Sequence, residues 1–404
     1  MAKRALEGLK VLEFAYFGIT PMTMKLLGVN GAEVVRVESR ARIDPMRTSG
    51  PFVDGITSTE HSAEIAHVHS DKYGVTLNLK HPKGLDVAKK LVAWADLVAD
   101  GFTTGALERA GLGYDDLKKI KPDIIMLSCN TFGQTGPKST FASTGIELTG
   151  MTGFIEICGW PDRGPIALGY YTDFIVPHFN LITVMAALDY RRRTGKGQHL
   201  DLAQCESGLY FNAPLFLDYV VNNRLMKRHG NRSMHEAPHG VYRCKGEDRW
   251  CAVSVSSDEE WESFCSVIGH PDWTKDAKFM TFLNRKKHED ELDRLVEAWT
   301  NERTAEEVMN LMQGAGVAAG VVQTGEEVFN DPQLNHYNYF QSLFYPGIEK
   351  ELATQLPFVK LTKTPAEVRS PRPMMGEHND YVYTQILGMS DEEFVELLNE
   401  GVFE

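Results

Sequence analysis

The sequence predicts an α/β protein in which a parallel sheet lies under helical cover, followed by a separate and smaller α+β domain. Strand-like and helix-like stretches alternate four times in the first part of the chain, an order that a parallel sheet with crossover helices explains most economically. Beyond Asn222 the pattern changes to a hairpin followed by helices. At 404 residues the chain also exceeds what one hydrophobic core usually organises.

Taken in order, Lys10 to Phe14 (KVLEF) reads as a short buried strand. A Gly/Pro-marked loop leads to a helix over Met22 to Val29, and Glu33 to Glu38 (EVVRVE) forms a second strand with β-branched residues at alternate places. This βαβ unit has FGITP in its turn instead of G-x-G-x-x-G, which disfavours an ordinary dinucleotide site although Glu38 ends the second strand. Asp44 to Glu64 is polar and reads as a loop. Val75 to Leu79 alternates as a strand, and His81 to Ala95 is an amphipathic helix. Leu97 to Ala99 is a brief strand, Ala106 to Arg109 and Tyr114 to Ile120 are short helices around GLGY, and Ile124 to Ser128 is another buried strand. Leu181 to Tyr190 is helical, and RRRTGKGQ ends that helix with cations where its dipole favours them and glycines where the chain turns. His199 to Leu202 follows as a strand.

In the second part, Tyr242 to Cys244 and Trp250 to Val255 pair as a hairpin across KGED. Helices follow around Glu259 to Ile268, Arg285 to Trp299 and Ala305 to Ala315. After Asp331-Pro332 the chain reads as irregular and proline-pinned, a segment suited to wrapping a surface, before a last helix over Asp391 to Leu398.

Composition narrows the function. With 43% hydrophobic and 24% charged residues, the chain has the make-up of an ordinary globular protein, and no run approaches the ~18 consecutive apolar residues of a membrane span. The opening MAKRALEGLKVLEF lacks the apolar run of a signal peptide, so a cytoplasmic location without membrane association is expected. Six cysteines without a C-x-x-C pair suit free thiols in a reducing compartment. A net charge of −13 with no basic stripe disfavours nucleic acid as a partner, yet leaves room for a smaller phosphorylated ligand held by a few local cations.

Several motifs need weighing. His235-Glu236-Ala237-Pro238-His239 satisfies H-E-x-x-H literally, but Pro238 would break the helix that zinc binding requires. His67 and His69 lack an evident third metal ligand. Phe132 to Thr140 (FGQTGPKST) is not a phosphate loop by spacing; its backbone N–H groups and Lys138 could hold an anion, while turn chemistry explains its Gly and Pro equally well. Arg109 is either a solvated helix residue or a phosphate contact. Asp173 stands at a loop-to-helix junction, where a helix cap is the local reading. Pro177 suggests that regular helix begins slightly after the acid, freeing its carboxylate to act as a nucleophile if water is excluded.

The ordered set LEGLKVLEF, GAEVVRVE, DKYGVTLNLKHPKG, ADLVADGF, LERAGLGYDDL, IIMLSCNTFGQTGP, ALGYYTD, RRTGKGQHLDL, HGN, APHGVYRCKGEDRW, GAGVAAGVV, DPQL and TPAEVRSPRPMMGEHN spans nearly the whole chain. In this order the pieces resemble the class III CoA-transferases, the formyl-CoA:oxalate and carnitine-type enzymes related to the α-methylacyl-CoA racemases. The resemblance implies a Rossmann-like large domain with its parallel sheet built from both chain ends, over residues 1–221 and 324–404, and a small α+β domain over 222–323. It further implies an interlocked homodimer, with a heteromeric pair as the variant. Asp173 matches the nucleophilic aspartate. Arg109, Lys138 and Arg40 match contacts to CoA, with Phe17 and Phe102 beside them. Tyr16, Gly18, Tyr171 and His239 fall where the acyl pocket is expected. No tightly bound cofactor and no metal is implied, coenzyme A entering as part of the substrates.

Departures from the pattern matter. Gly18 replaces a Gln of the oxalate-type members, RSMHEAPHG replaces their Gly-rich lid, and Thr103 stands where an Arg is usual. An acceptor bulkier than oxalate, aromatic or branched, is therefore expected. The racemases carry a His in the stretch matching Ala142 to Gly150; its absence favours transfer, with Glu147 the remaining candidate for a second base. A non-catalytic partner subunit is the reading from a different class.

Overall fold

A computed structural model describes residues 4–404. Its contacts divide the chain into two compact units, one made of residues up to Ile155, Ala167–Leu225 and Gln333–Glu404, the other of Glu156–Ile166 and Met226–Pro332.

The first unit holds the expected parallel sheet of six strands: β1 (Lys10–Ala15), β2 (Glu33–Glu38), β3 (Tyr73–Thr76), β4 (Leu97–Gly101), β5 (Ile125–Asn130) and β6 (His199–Ala203). Their order is β3-β2-β1-β4-β5-β6, with every neighbouring pair parallel. Helices cover both faces. On one side Val87, Leu91 and Val92 of the helix Pro82–Trp94 pack with Leu12, Val35 and Val98; on the other Met24 and Leu27 of the helix Ile19–Val29 and Val184 of the helix Tyr171–Thr194 pack with Val11, Val34 and Leu127. Burial on both faces explains why these strands read as near-continuous apolar runs.

All six strands come from residues 10–203; the C-terminal segment joins this unit as cover. It forms an antiparallel hairpin of β10 (Phe340–Tyr345) and β11 (Lys350–Gln355) turning through Pro346–Ile348, where a structureless stretch was expected. Pro346 sits in the turn and costs no ladder bond, so its presence does not argue against strands. The chain then runs along β3, the sheet edge. His378 N–H donates to the Gly74 carbonyl at 2.9 Å, Thr76 N–H to Asn379 Oδ1 at 2.8 Å, and Asn78 N–H to the Val402 carbonyl at 2.8 Å. The strand β3 stops at Thr76 instead of continuing to Leu79 because its partner β2 ends at Glu38, whose carbonyl takes the Leu77 N–H, and the next backbone N–H, of Asn78, bonds the tail.

The helix Tyr171–Thr194 is longer at both ends than the expected Leu181 to Tyr190. By length and composition it is the one helix among the described residues apolar enough to cross a membrane. Here one side packs on the helix Ile19–Val29 and on β5, and its last turn carries Arg191, Arg192 and Arg193. Its other side is apolar and uncovered, continuing onto the helices Gln204–Phe211 and Ala213–Asn222; Ile182, Tyr210, Val220 and Val221 are 67–74% exposed.

The second unit has its own core. The expected hairpin is present as β7 (His239–Arg243) and β8 (Trp250–Ser254), and β9 (Ala318–Val321), too rich in small residues to read as a strand, adds to the β8 edge. Helices Asp258–Val267, Glu289–Thr300 and Ala305–Gly314 close over it with Trp261, Phe264, Leu292, Val296 and Val308. The single helix expected over Arg285 to Trp299 is broken at His288. His239 begins β7, so the H-E-x-x-H stretch is not helical.

Candidate active site

The sheet order reverses between β1 and β4, and the carboxyl edge at such a switch point is where doubly wound sheets bind ligands. Tyr16, Phe17 and Gly18 follow β1. Phe102 follows β4, and its ring lies 4.9 Å from that of Tyr16 at 44°. Phe17 adopts a left-handed φ of 62°, a conformation that costs a non-glycine residue about 1 kcal/mol and must be held by its surroundings. The holder is Asp44, whose Oδ1 accepts the Phe17 N–H at 3.3 Å while Oδ2 accepts from Arg36 at 2.6 Å. A Cβ built on Gly18 would meet nothing within 4 Å, so the first loop borders open space.

Arg36 anchors a buried ionic network under this loop. It meets Glu13 and Glu38 at 3.3 Å each, Lys72 reaches Glu13 at 2.8 Å, and Arg47 reaches Glu38 at 2.8 Å. Burial pushes the Glu38 carboxyl up, but Arg36 and Arg47 outweigh it and hold it at about 2. His69 lies on Arg36 at 2.7 Å; burial and then the Arg36 and Lys72 charges lower it well below the usual histidine range, so it is neutral and sits in this network, not in a metal site.

Two of the cationic candidates stand on the connections after β4 and β5, Arg109 closing the short helix Ala106–Arg109 in the first and Lys138 in the second. Thr104 ties them together: its Oγ1 donates to the Ser139 carbonyl at 2.7 Å and accepts from Asn130 Nδ2 at 2.7 Å, and its own carbonyl accepts from Arg109 at 3.4 Å. Lys138 is exposed on the second of these loops, near enough to Cys205 to lower a thiol that burial otherwise pushes up. Arg40 is exposed beyond β2 and makes no ion pair among the described residues.

Asp173 lies in the first turn of the helix Tyr171–Thr194, which begins before the acid and runs through Pro177. It is therefore not the cap; Tyr170 holds that place without a side-chain bond. Proline removes the N–H that would bond the Asp173 carbonyl, so the turn tolerates it at the cost of one helix bond. Asp173 Oδ1 accepts from Gln204 Nε2 at 2.6 Å. Burial pushes the Asp173 carboxyl up to about 6, against the lowering hydrogen bonds of Gln204 and Thr172. Gly145 faces the same oxygen: a Cβ there would come within 2.1 Å of Oδ1. Beneath it, burial pushes the Cys129 thiol on β5 up to about 12, and the Asp173 and Asp100 carboxylates add to that rise.

Tyr171 is half-exposed, its ring 5.2 Å from Phe154. His239 belongs to the second unit, where Nδ1 contacts the Asn231 carbonyl at 2.6 Å and the ring lines a cavity of about 600 Å³ with Trp160, Arg232, Tyr242 and Lys286. Sequence reasoning missed Gln204, Gly145 and Thr104. Gln204 had one signal, its place directly after a strand at the ligand-binding edge of the sheet.

The fold and site define a doubly wound α/β protein with a partly desolvated carboxylate and two exposed cations at the carboxyl edge of its sheet. The family model for CoA-transferase family III matches residues 6–379, and the chain belongs to that family and is a CoA-transferase. It is 31% identical over 395 residues to a succinyl-CoA–D-citramalate CoA-transferase of Chloroflexus aurantiacus, covering 98% of this chain and 97% of that one. The β subunit of a succinyl-CoA–L-malate CoA-transferase from the same organism is 30% identical over 401 residues, with 98% of both chains covered. Among solved structures, a CAIB/BAIF family protein from Brucella suis superposes with a TM-score of 0.86 at 28% identity, covering 95% of this chain and all of that one.

Proposed function

We propose that the protein moves CoA from an acyl-CoA donor to a carboxylic acid through covalent intermediates on Asp173. The observation that carries this reading is the Asp173 carboxylate itself, half-desolvated, with Oδ1 held by Gln204, at the carboxyl edge of the sheet. Its free oxygen attacks the donor thioester carbon, and the C–S pair leaves with the CoA thiolate to give an aspartyl anhydride. The thiolate then attacks the Asp173 carbonyl carbon, forming the aspartyl-CoA thioester and releasing the donor acid. The acceptor carboxylate repeats both steps in reverse, so thioester energy is conserved and no ATP is consumed. Either intermediate hydrolyses if water enters, which makes the partial burial of Asp173 functional. Arg109 and Lys138 serve the CoA phosphates, Arg40 the adenine end, and Phe17 and Phe102 the apolar parts of CoA.

Both relatives are named for succinyl-CoA as donor, which makes it the first donor to test. The acceptor is bulkier than oxalate, because the first loop offers aromatic walls at Tyr16 and Phe102 and open space at Gly18; citramalate, a branched diacid, fits that description, and aromatic acids complete the panel. Glu147 is consumed by a capping box with Thr144, accepting its N–H at 2.8 Å, which supports transfer over α-proton exchange. The uncovered apolar helices support a homodimer, with the named β subunit making a heteromeric pair the alternative. Free thiols and this fold suit the cytoplasm.

The test is to incubate the protein with succinyl-CoA and hydroxylamine and read Asp173 by peptide mass spectrometry. A hydroxamate at Asp173, and its loss with transfer activity in Asp173→Ala, is the expected result. No label, with Asp173→Ala still active, sinks the reading.

A further inference from the structure

The two oxygens of Asp173 are not equivalent. Gln204 is almost fully buried, its Nε2 bonds Oδ1 at 2.6 Å and Thr172 Oγ1 at 2.9 Å, and Gly145 closes over the same oxygen. Gln204 opens the helix Gln204–Phe211 directly after β6. That helix is pressed onto the Asp173 turn through Gly208, where a Cβ would lie 2.9 Å from Thr152 and 3.3 Å from Thr172. The amide is thus placed by packing before any substrate arrives.

We propose that Gln204 is a catalytic residue of the transfer: its Nε2–H holds Asp173 Oδ1 so that Oδ2 attacks, and then stabilises the oxyanion that develops on Oδ1. The proposal rests on Asp173 being the nucleophile. Once Oδ2 has become the bridging oxygen of the anhydride, Oδ1 is the aspartyl carbonyl oxygen. When the thiolate adds to Cγ, a C–S bond forms and the carbonyl pair moves onto Oδ1. Collapse returns the pair and breaks the bond from Cγ to the bridging oxygen, and the donor carboxylate leaves. The acceptor carboxylate enters by the same path reversed. In both passages the charge arises at the atom Gln204 already contacts. A preplaced donor of this kind is typically worth ~10²-fold or more in kcat.

The steps that attack the substrate carbonyl place their oxyanion elsewhere, so there Gln204 orients Asp173 without stabilising the developing charge. Removing the amide therefore leaves anhydride formation possible and slows its conversion to the aspartyl-CoA thioester.

The experiment compares the full-length wild type with Gln204→Met and Gln204→Glu, the second keeping the shape of the side chain in case the first does not fold. In whichever variants fold by circular dichroism, kcat is expected to fall ~100-fold with KM for donor nearly unchanged. The acid limb of the pH profile moves upward because a bond that favours the Asp173 carboxylate is gone. Hydroxylamine still labels Asp173 while the CoA adduct at Asp173, read by mass, declines. A folded variant that keeps kcat within threefold and its acid limb in place overturns the proposal. Absence of any Asp173 label in the wild type refutes the nucleophile instead, so the two failures are distinguishable.

Discussion

At Asp173 a single carboxyl group links burial, catalysis and stability. A nucleophilic carboxylate is active only when ionised, so kcat/KM is expected to fall tenfold per pH unit below about 6, the value to which burial pushes this acid. The same shift has an opposite sign for folding. In an unfolded chain an aspartate titrates near ~4, so the folded protein resists ionising Asp173; the penalty is complete above about 6 and vanishes below ~4. Asp173→Asn should be inactive yet more stable at pH 8, by up to ~2 kcal/mol in denaturant unfolding, with no advantage at pH 4. Gly145→Ala tests the other side of the carboxyl. Its Cβ would overlap Oδ1, so at least tenfold loss of kcat is expected with the fold intact by circular dichroism. Spacing alone identified Asp173 only as an acid at a helix start. Its partners were illegible because Gln204 is 31 residues away in sequence and their meeting depends on how the helix after β6 packs.

Elements were more legible than their boundaries. The six parallel strands follow from β-branched and apolar runs, but EVVRVE hides its most consequential residue. Alternation suggests one wet face, whereas β2 is buried on both, with Arg36 fully enclosed. Pairing with Glu13, Glu38 and Asp44 makes that possible; Glu38 lies on the same strand, but Glu13 comes from β1 and Asp44 from the loop after β2. Removing one member leaves an uncompensated buried charge, which costs ~3–5 kcal/mol. Asp44→Ala should therefore lower the unfolding free energy by about that amount and, because Phe17 loses its backbone anchor, raise KM for acyl-CoA. A normal KM in folded Asp44→Ala would show that the first loop keeps its shape without it. The hairpin β10–β11 was illegible for another reason: prolines around it read as irregular chain, although Pro346 occupies only its turn.

For the whole molecule the unpartnered apolar surface decides the main expectation. Ile182, Tyr210, Val220 and Val221 lie open on three helices of one unit, and large exposed apolar side chains gathered on one surface mark interaction sites. Light scattering at micromolar concentration is expected to give twice the chain mass or more, and Val220→Asp with Val221→Asp to lower it. A monodisperse monomer of 45.3 kDa would contradict the homodimer, and recovery of mass only with a second homologous chain would establish the heteromeric form. The alternation of strands and helices announced the sheet and the proline-pinned tail announced a wrapping segment, while the sheet built from both chain ends that the resemblance implied is not found: all six strands come from residues 10–203, with the C-terminal segment as cover.

That cover has a consequence for how the protein is made. The edge strand β3 is complete once residue 76 has been synthesised, yet the Phe403 carbonyl that accepts from Thr76 Oγ1 lies 327 residues further on. At ~5–20 residues per second a ribosome needs ~15–65 s to cover that distance. Throughout that interval the nascent sheet presents an open edge. During biosynthesis, then, this margin of the protein is where a holding chaperone has most to protect.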